Sequence, residues 1–212
     1  MSILFTIFKY LIFSLLLISI SCSSNSSNKK QQESSERSVE EIYNSAMDYI
    51  NDNKYSKAHD EFIEVERLHP YSIWATRSQI MTSYVNYKLN KYADSVSGAM
   101  RYIELHPGAG DIDYAYYLIA LNYYEQINDF RRDQSFTRKA LEAFNNLIRR
   151  FPNSDYSRDA KLKLDLVNDH LAAKEMDIGR TYQNLDNYIS AINRFKTVVE
   201  LYSKTSHVPE AL

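Results

Sequence analysis

Two stretches of the chain share one skeleton: NKYSKAHDEFIEVERLHP at residues 53–70 and NKYADSVSGAMRYIELHP at residues 90–107. Asn-Lys-Tyr opens each stretch, His-Pro closes it, and both ends are offset by 37 residues. A third copy, RKALEAFNNLIRRFPNS, spans 138–154, and a fourth, NYISAINRFKTVVELYSKT, carries Ser203 where proline would fall. A repeat of this period predicts an array of similar structural units rather than a single mixed core.

The spacing inside each copy identifies the type of repeat. A small residue precedes an aromatic by three, a second small residue lies nine further on, an aromatic follows after four, and proline comes eight later. The first copy fills all five positions, with Ala46, Tyr49, Ala58, Phe62 and Pro70. The fourth fills four, with Gly179, Tyr182, Ala191 and Phe195, the third is split by eight extra residues, and the second is degenerate. Small residues let two helices approach closely, and proline ends the second helix, which is typical of tetratricopeptide repeats.

We therefore predict an all-α fold, a right-handed superhelical solenoid of tetratricopeptide-like helix hairpins with about eight to nine helices. The domain covers 39–212, with repeats near 39–72, 73–108, 111–154 and 172–205. The predicted helices span 39–52, 55–68, 72–88, 91–105, 111–127, 134–150, 155–184 and 186–201, and a ninth begins near Val208. Segment 155–184 holds one glycine and no proline, which favours one long helix or two collinear ones, with Ser154 or Asp155 as the N-cap.

The N-terminal residues differ in composition from the repeats. Residues 1–21, MSILFTIFKYLIFSLLLISIS, contain one charge and an apolar core, which favours a secretory signal, with an uncleaved membrane anchor as the alternative. Residues 22–38 begin with Cys22, the only cysteine, and continue as a polar tether without aliphatic or aromatic side chains. Small residues directly before the cysteine are the layout of a bacterial lipoprotein signal, and lipidation at Cys22 explains an unpaired cysteine in a secreted chain.

The sequence contains no recognisable catalytic or metal-binding motif. The net charge of -2 argues against nucleic acid as a partner. The five histidines have no metal-ligand spacing, phosphate-binding glycine loops are absent, and Cys22 has no base nearby. We therefore expect a binding or scaffold protein without metal or dissociable cofactor.

The first helix of each hairpin is expected to present an apolar and aromatic groove to a peptide. The groove residues are Tyr43, Met47, Ile50, Met81, Val85, Leu89, Tyr114, Tyr117, Leu121 and Tyr124. The alternative is that half of these side chains belong to the core between helices.

Two further sites combine charge with position. The insertion NDFRRDQS, 128–135, carries Arg131 and Arg132 beside a helix start, and is either a docking knob or a solvated turn capped by Asp133 or Ser135. Asn193 and Arg194 lie between two core positions of the fourth repeat and are expected to point outward. Arg194 is therefore a candidate interface anchor or an ordinary exposed helix arginine.

Several stretches together resemble one family. They are RRDQSFTRKALEAFNNLIRRFPNSDYSRDA at 131–160, LAAKEMDIGRTY at 171–182 and AINRFKTVVELYSKT at 191–205, with supporting matches at 69–92 and 111–124. They resemble the BamD family of outer-membrane assembly lipoproteins, also called ComL or YfiO, over about residues 38–212.

The resemblance implies a lipoprotein on the periplasmic face of the outer membrane, with diacylglycerol and an N-acyl chain on Cys22. It implies a scaffold of the β-barrel assembly complex that binds BamA, other complex subunits and unfolded outer-membrane proteins, with the BamA contact at Arg194. Family members continue beyond "VPEAL", so helix 186–201 is expected to expose Ile192, Phe195 and Val199. Either the chain is truncated at its C-terminus or a partner covers this face. The alternative function is another periplasmic tetratricopeptide adaptor, linked to division or peptidoglycan.

Overall fold

Helices joined by short turns make up the part of the chain that the computed structural model describes, residues 37–212. They are α1 (Val39–Asn51), α2 (Tyr55–Leu68), α3 (Ile73–Lys88), α4 (Tyr92–Leu105), α5 (Ile112–Tyr124), α6 (Ser135–Arg150), α7 (Asp155–Asn184), α8 (Tyr188–Leu201) and α9 (Val208–Ala211). Within residues 37–212 every regular element is a helix, which confirms the all-α prediction. The predicted helix over 111–127 is too long, because after Tyr124 the chain closes shorter bonds, from Ile127 N–H to the Tyr124 carbonyl (3.0 Å).

Each helix packs against the next one along the chain, so α1–α2, α3–α4, α5–α6 and α7–α8 form hairpins. The first helices of successive hairpins also touch one another: α1 contacts α3, α3 contacts α5, and α5 contacts α7. These four helices therefore form one continuous surface, which we call the inner face. This stacking lets each hairpin cover the apolar side of its neighbour.

Three of the four hairpins turn on the same backbone device. Asn53, Asn90 and Asp186 adopt left-handed conformations, with φ of 58°, 59° and 56°. The residue after each donates its N–H to the carbonyl five residues back, for example Lys54 to Tyr49 (2.8 Å), the Schellman pattern at a helix end. Asparagine and aspartate tolerate this conformation because their side chains bond locally. In each of these turns the side chain accepts a hydrogen bond from the tyrosine two residues later. Tyr55, Tyr92 and Tyr188 donate their hydroxyls at 2.8, 2.9 and 2.8 Å.

The small residues of the repeat lie where the two helices of a hairpin meet. Ala46 and Ala58 are fully buried in the first hairpin, and Ala120 and Ala140 in the third. In the fourth, buried Gly179 of α7 faces the ring of Phe195 on α8 so closely that a β-carbon would lie 2.8 Å from Cδ1. Close approach at these points explains the small-residue spacing that identified the repeat.

The second helices end alike, whether or not proline follows. His69, His106 and Phe151 cap α2, α4 and α6 with φ of -134°, -129° and -130°, and each precedes a proline. Tyr202 caps α8 with φ of -119° although Ser203 follows. The repeat therefore keeps its helix end without the proline.

The segment over 155–184 is a single helix of 30 residues, as predicted. Ser154 begins it, because its side chain accepts a hydrogen bond from Tyr156 N–H at 3.2 Å. The N-terminal half of α7 packs on the third hairpin, and the C-terminal half is the first helix of the fourth.

Candidate partner-binding surfaces

The N-terminal part of the inner face is apolar and half-buried. Met47, Ile50, Met81 and Leu89 pack over a core of fully buried side chains, namely Ala46, Ala58, Phe62 and Val85. Tyr43 joins them, its ring 5.5 Å from that of Phe62 and 4.8 Å from that of Trp74. The predicted groove residues of α1 and α3 thus share one surface, and each except Val85 keeps part of its side chain in water.

Val85 is a correction to the predicted groove. Its side chain is 0% exposed and lies beneath Met81 and Leu89. Because a helix turns by about 100° per residue, a step of four residues rotates the side chain by about 40°. Met81 and Leu89 therefore flank Val85 on either side, and Val85 points between them into the core. Val85 therefore belongs to the core and does not present its side chain to a peptide.

The tyrosines of α5 are engaged with α7. The rings of Tyr114 and Tyr117 lie 5.2 and 5.1 Å from that of Tyr156, and the Tyr117 hydroxyl donates to the Asp159 carboxylate. Burial and this hydrogen bond raise the pKa of Tyr117 well above its ordinary value. The neighbouring residue Leu121 packs on the adjoining core.

Tyr124 also contributes to packing within the chain. Its ring meets that of Phe144 edge-on at 5.9 Å, and Lys163 Nζ of α7 lies 5.7 Å from its centroid. The α5 part of the predicted groove therefore offers half-buried rings already in contact with their neighbours, and is less open than the α1–α3 part.

The insertion 128–135 is built around a buried glutamine that sequence reasoning missed. Gln134 is 2% exposed, and its amide nitrogen donates to the carbonyls of Asp129, Phe130 and Arg132 at 3.2–3.3 Å. Its amide oxygen accepts from the Thr137 hydroxyl at 2.8 Å. The Asp129 carbonyl also accepts from Arg132 N–H at 2.9 Å, so the glutamine chiefly satisfies the Phe130 and Arg132 carbonyls, which an irregular loop would otherwise leave unpaired. The only hint was its place in the RRDQS stretch.

Asp133 and the two arginines of the insertion lie on its exposed side. The Asp133 carboxylate accepts from Ser135 N–H at 3.0 Å at the start of α6, and bonds to Ser135 hold its pKa below the ordinary value. Arg131 reaches Asp177 of α7, with Nε 3.9 Å from Oδ1. Lys174 Nζ of the same helix donates to the Arg131 carbonyl at 3.0 Å. The insertion is therefore a capped turn that rests on α7, while the side chain of Arg132 remains in solvent.

Arg194 lies on the junction of α7 and α8. Its Nη1 is 3.0 Å from Oε2 of Glu175, and Asn193 beside it is exposed. A shallow polar cavity of about 210 Å³ opens here, lined also by Tyr182, Ser190 and Thr197. Since Glu175 lies between Lys174 and Asp177, the structure brings Arg194 and Arg131 to the same turn of α7.

The outer side of α8 exposes apolar side chains. Ile192 is 61% exposed, as predicted, and Ile189 is 78% exposed. Phe195 and Val199 are half-buried rather than exposed, so the prediction overstated the exposure of these two side chains. The ring of Phe195 turns inward because Gly179 leaves room for it.

Cys22, with the signal segment, lies outside the described residues. In the described part, residues 37–212, no helix combines the length and apolarity needed to cross a bilayer. Over the same range, no group of three or more histidine, cysteine, aspartate or glutamate side chains is placed to hold a metal ion.

Comparison with known proteins finds similarity over the whole repeat region. The family described as YfiO, outer membrane lipoprotein, matches residues 35–212. A relative from Caulobacter vibrioides, named outer membrane protein assembly factor BamD, is 48% identical over 177 residues, which cover 84% of this chain and 58% of the relative. Relatives of the same name from Rickettsia prowazekii and Neisseria gonorrhoeae are 42% and 32% identical, covering 81% and 93% of this chain and 68% and 78% of their own lengths.

Proposed function

Because the chain belongs to the YfiO family of outer membrane lipoproteins, we propose that it is a scaffold for the assembly of outer-membrane β-barrel proteins. The observation that carries the proposal is the family match over residues 35–212, which include all four hairpins, together with the similarity to assembly factors named BamD. The role needs surfaces that bind other proteins and no chemistry of its own. The inner face and the α7 junction are such surfaces.

We place the protein at the periplasmic face of the outer membrane, held by lipid on Cys22. A diacylglycerol and an N-acyl chain together give stable anchoring, which a single chain does not. The polar stretch that follows Cys22 in the sequence contains no apolar side chain to anchor it against the repeats. The repeat domain would therefore reach partners at a distance from the membrane surface.

The inner face of α1 and α3 is the proposed site for unfolded barrel segments. It carries the half-buried Met47 and Met81, whose flexible thioethers adapt to different apolar side chains. Strands of a barrel alternate apolar and polar residues, so an unfolded segment offers an apolar side chain at every second position. A surface that binds many such sequences needs apolar contact more than specific hydrogen bonds.

The proposed BamA contact lies around residues 174–177 of α7, where Arg194 and Asn193 of α8 meet the insertion that carries Arg131 and Arg132. The Arg194 guanidinium bonds Glu175 through Nη1 and also has the Tyr182 side chain as a partner, and its remaining N–H groups can donate to a carboxylate of BamA. Its half-exposed position beside a polar cavity suits an arginine that becomes buried on binding.

The experiment is co-purification of BamA with the tagged full chain from its native host, comparing Arg194→Gln with Arg180→Gln. The two arginines are a matched pair, because each bonds one glutamate and their side chains are 42% and 44% exposed. We expect Arg194→Gln to lose most of the BamA and Arg180→Gln to retain it, with similar melting temperatures. Equal retention by both variants would remove Arg194 from the interface, and absence of BamA from the unmodified protein would overturn the proposed function.

A further inference from the structure

A cavity of about 420 Å³ opens on the outside of the array, between α4 and α6 and above α5. Its apolar lining consists of Met100, Ile103, Tyr116, Ile119, Tyr123 and Ala143. Successive residues of a helix are about 100° apart, so Tyr116, Ile119 and Tyr123 face away from the side of α5 that carries Tyr117 and Tyr124. The outer cavity is thus separate from the inner face and from the α7 junction.

The outer cavity has the size and lining of a binding site rather than of a packing defect. Pockets that hold small ligands or anchoring side chains measure roughly 300–1,000 Å³ and are mostly apolar. Met100 at its mouth is 45% exposed, so apolar surface remains in contact with water. Ala143 forms the floor on α6 where the second and third hairpins meet, since it packs against both of their cores.

The charged side chains around the cavity determine which sign of charge its ligand should carry. Glu104 and Glu142 line the rim, both are exposed, and neither has an ion-pair or hydrogen-bond partner among residues 37–212.

Two basic side chains lie beside the cavity, each over one or two aromatic rings, and one of them, Lys139, is part of its lining. Lys139 Nζ lies 5.7 Å from the Tyr123 ring centroid and 5.3 Å from that of Phe136, and the Arg150 guanidinium lies 5.3 Å from that of Tyr116. Because two carboxylates, Glu104 and Glu142, and one ammonium group, Lys139, line the cavity, the net formal charge of its lining is negative.

We propose that the outer cavity binds a peptide segment of a partner protein in which an aliphatic or aromatic side chain stands next to lysine or arginine. The apolar side chain enters between Met100 and Ala143, and the cationic group lies between Glu104 and Glu142. An acidic membrane surface does not suit this site, because two free carboxylates at the rim repel anionic headgroups.

The test is fluorescence anisotropy with the full chain and three labelled octapeptides. One alternates leucine and lysine, the second replaces lysine by glutamate, and the third replaces leucine by serine. We expect the leucine–lysine peptide to bind about tenfold more tightly than either of the others, a difference of about 1.4 kcal/mol. Equal affinity for the three peptides would overturn the proposal.

Variants of the cavity lining test whether the leucine–lysine peptide binds in the outer cavity. The double variant Glu104→Gln/Glu142→Gln keeps side-chain shape and removes both charges, and we expect it to weaken the leucine–lysine peptide about tenfold. Ala143→Leu fills the cavity from α6 and should weaken it at least as much. Asp48→Asn, which neutralises an exposed carboxylate in the last turn of α1, is the control and should leave affinity unchanged.

Two results would contradict the assignment. One is a loss with Asp48→Asn as large as with the double glutamate variant, which would indicate general attraction to a negative protein. The other is displacement of the peptide by anionic phosphatidylglycerol vesicles together with unchanged binding in Ala143→Leu, which would indicate a membrane surface. BamA co-purification by the same variants should be unchanged, so a failure here is distinct from a failure of the proposed function.

Discussion

Gly179→Ala tests whether the close approach of α7 and α8 fixes the fourth hairpin. In the middle of an ordinary exposed helix this change stabilises by about 1 kcal/mol, because glycine has the higher conformational freedom in the unfolded chain. Here the added β-carbon would lie 2.8 Å from Phe195 Cδ1 and 3.0 Å from Cζ, with Cε1 nearer still. The ring has to move outward on the half-buried side of α8.

The two effects can be set against each other. Forcing a methyl group into a packed contact costs about 1–3 kcal/mol. Three ring atoms are too close at once, which places the cost in the upper half of that range. After the gain in helix propensity, we expect the free energy of unfolding to fall by about 1–2 kcal/mol. In a domain of this size that corresponds to roughly 2–8 °C in melting temperature.

The assay is urea denaturation followed by circular dichroism, arranged as a double-mutant cycle with Phe195→Leu. Without the ring, the added methyl meets no obstacle, so in the Phe195→Leu background Gly179→Ala should be neutral or stabilising by up to about 1 kcal/mol. The matched control is Gly98→Ala in α4, whose β-carbon would collide only with the rotatable Ser83 hydroxyl. If Gly179→Ala stabilised the unmodified chain by about 1 kcal/mol, the close-approach reasoning would be refuted.

Three further predictions concern the insertion, the inner face and the anchor. Gln134→Ala removes the hydrogen-bond partner of the Phe130 and Arg132 carbonyls and should cost about 1–3 kcal/mol in the free energy of unfolding, with faster amide exchange in the insertion. Gln183→Ala, at an exposed position, should cost little. Burial, then the hydrogen bond to Glu125, raises the pKa of Tyr87 to about 12. Because the ordinary value is about 10, its contribution to stability is complete below pH 10 and is lost as the pH rises through 12, so Tyr87→Phe should make alkaline unfolding less steep. Cys22→Ser should yield a protein without acyl mass by mass spectrometry and release it from the membrane fraction, and an unchanged mass would exclude lipidation there.

The helices could be predicted from the sequence because their ends have local causes. The Asn-Lys-Tyr turn fixes both the end of one helix and the start of the next, since the left-handed asparagine and the tyrosine hydroxyl bond within three residues. The fourth hairpin was predicted to begin its second helix at 186, two residues early. Asp186 fills the role of the asparagine there, and the Asn187 side chain accepts from Ser190 N–H at 3.3 Å to begin α8 at Tyr188. Residue type differs at this turn, but the backbone bond and the tyrosine hydroxyl bond recur, and the Asn187 side-chain bond is additional.

The surfaces could be predicted only in part, because exposure depends on contacts between hairpins. The predicted groove positions of α1 and α3 pack around one core. Val85, however, lies under its neighbours, and the α5 tyrosines meet Tyr156, which is 42 positions after Tyr114 in the chain. Gln134 has no periodic signal, since its partners are carbonyls of an irregular loop. The outer cavity needs two helices, α4 and α6, that are not consecutive in sequence.

One short part of α7 contacts the insertion, Arg194 and the Phe195 ring, which lie far apart in the sequence. Residues 174–177 hold the insertion through Lys174 and Asp177 and hold Arg194 through Glu175, and two residues further on Gly179 receives the Phe195 ring. Because α7 is a single helix, these contacts keep fixed positions relative to one another. Gly179→Ala should therefore displace α8, and with it Arg194, without touching either residue of the ion pair. Loss of BamA in Gly179→Ala with recovery in Gly179→Ala/Phe195→Leu would show that the hairpin packing positions the arginine, whereas retention of BamA in a destabilised Gly179→Ala would separate packing from binding.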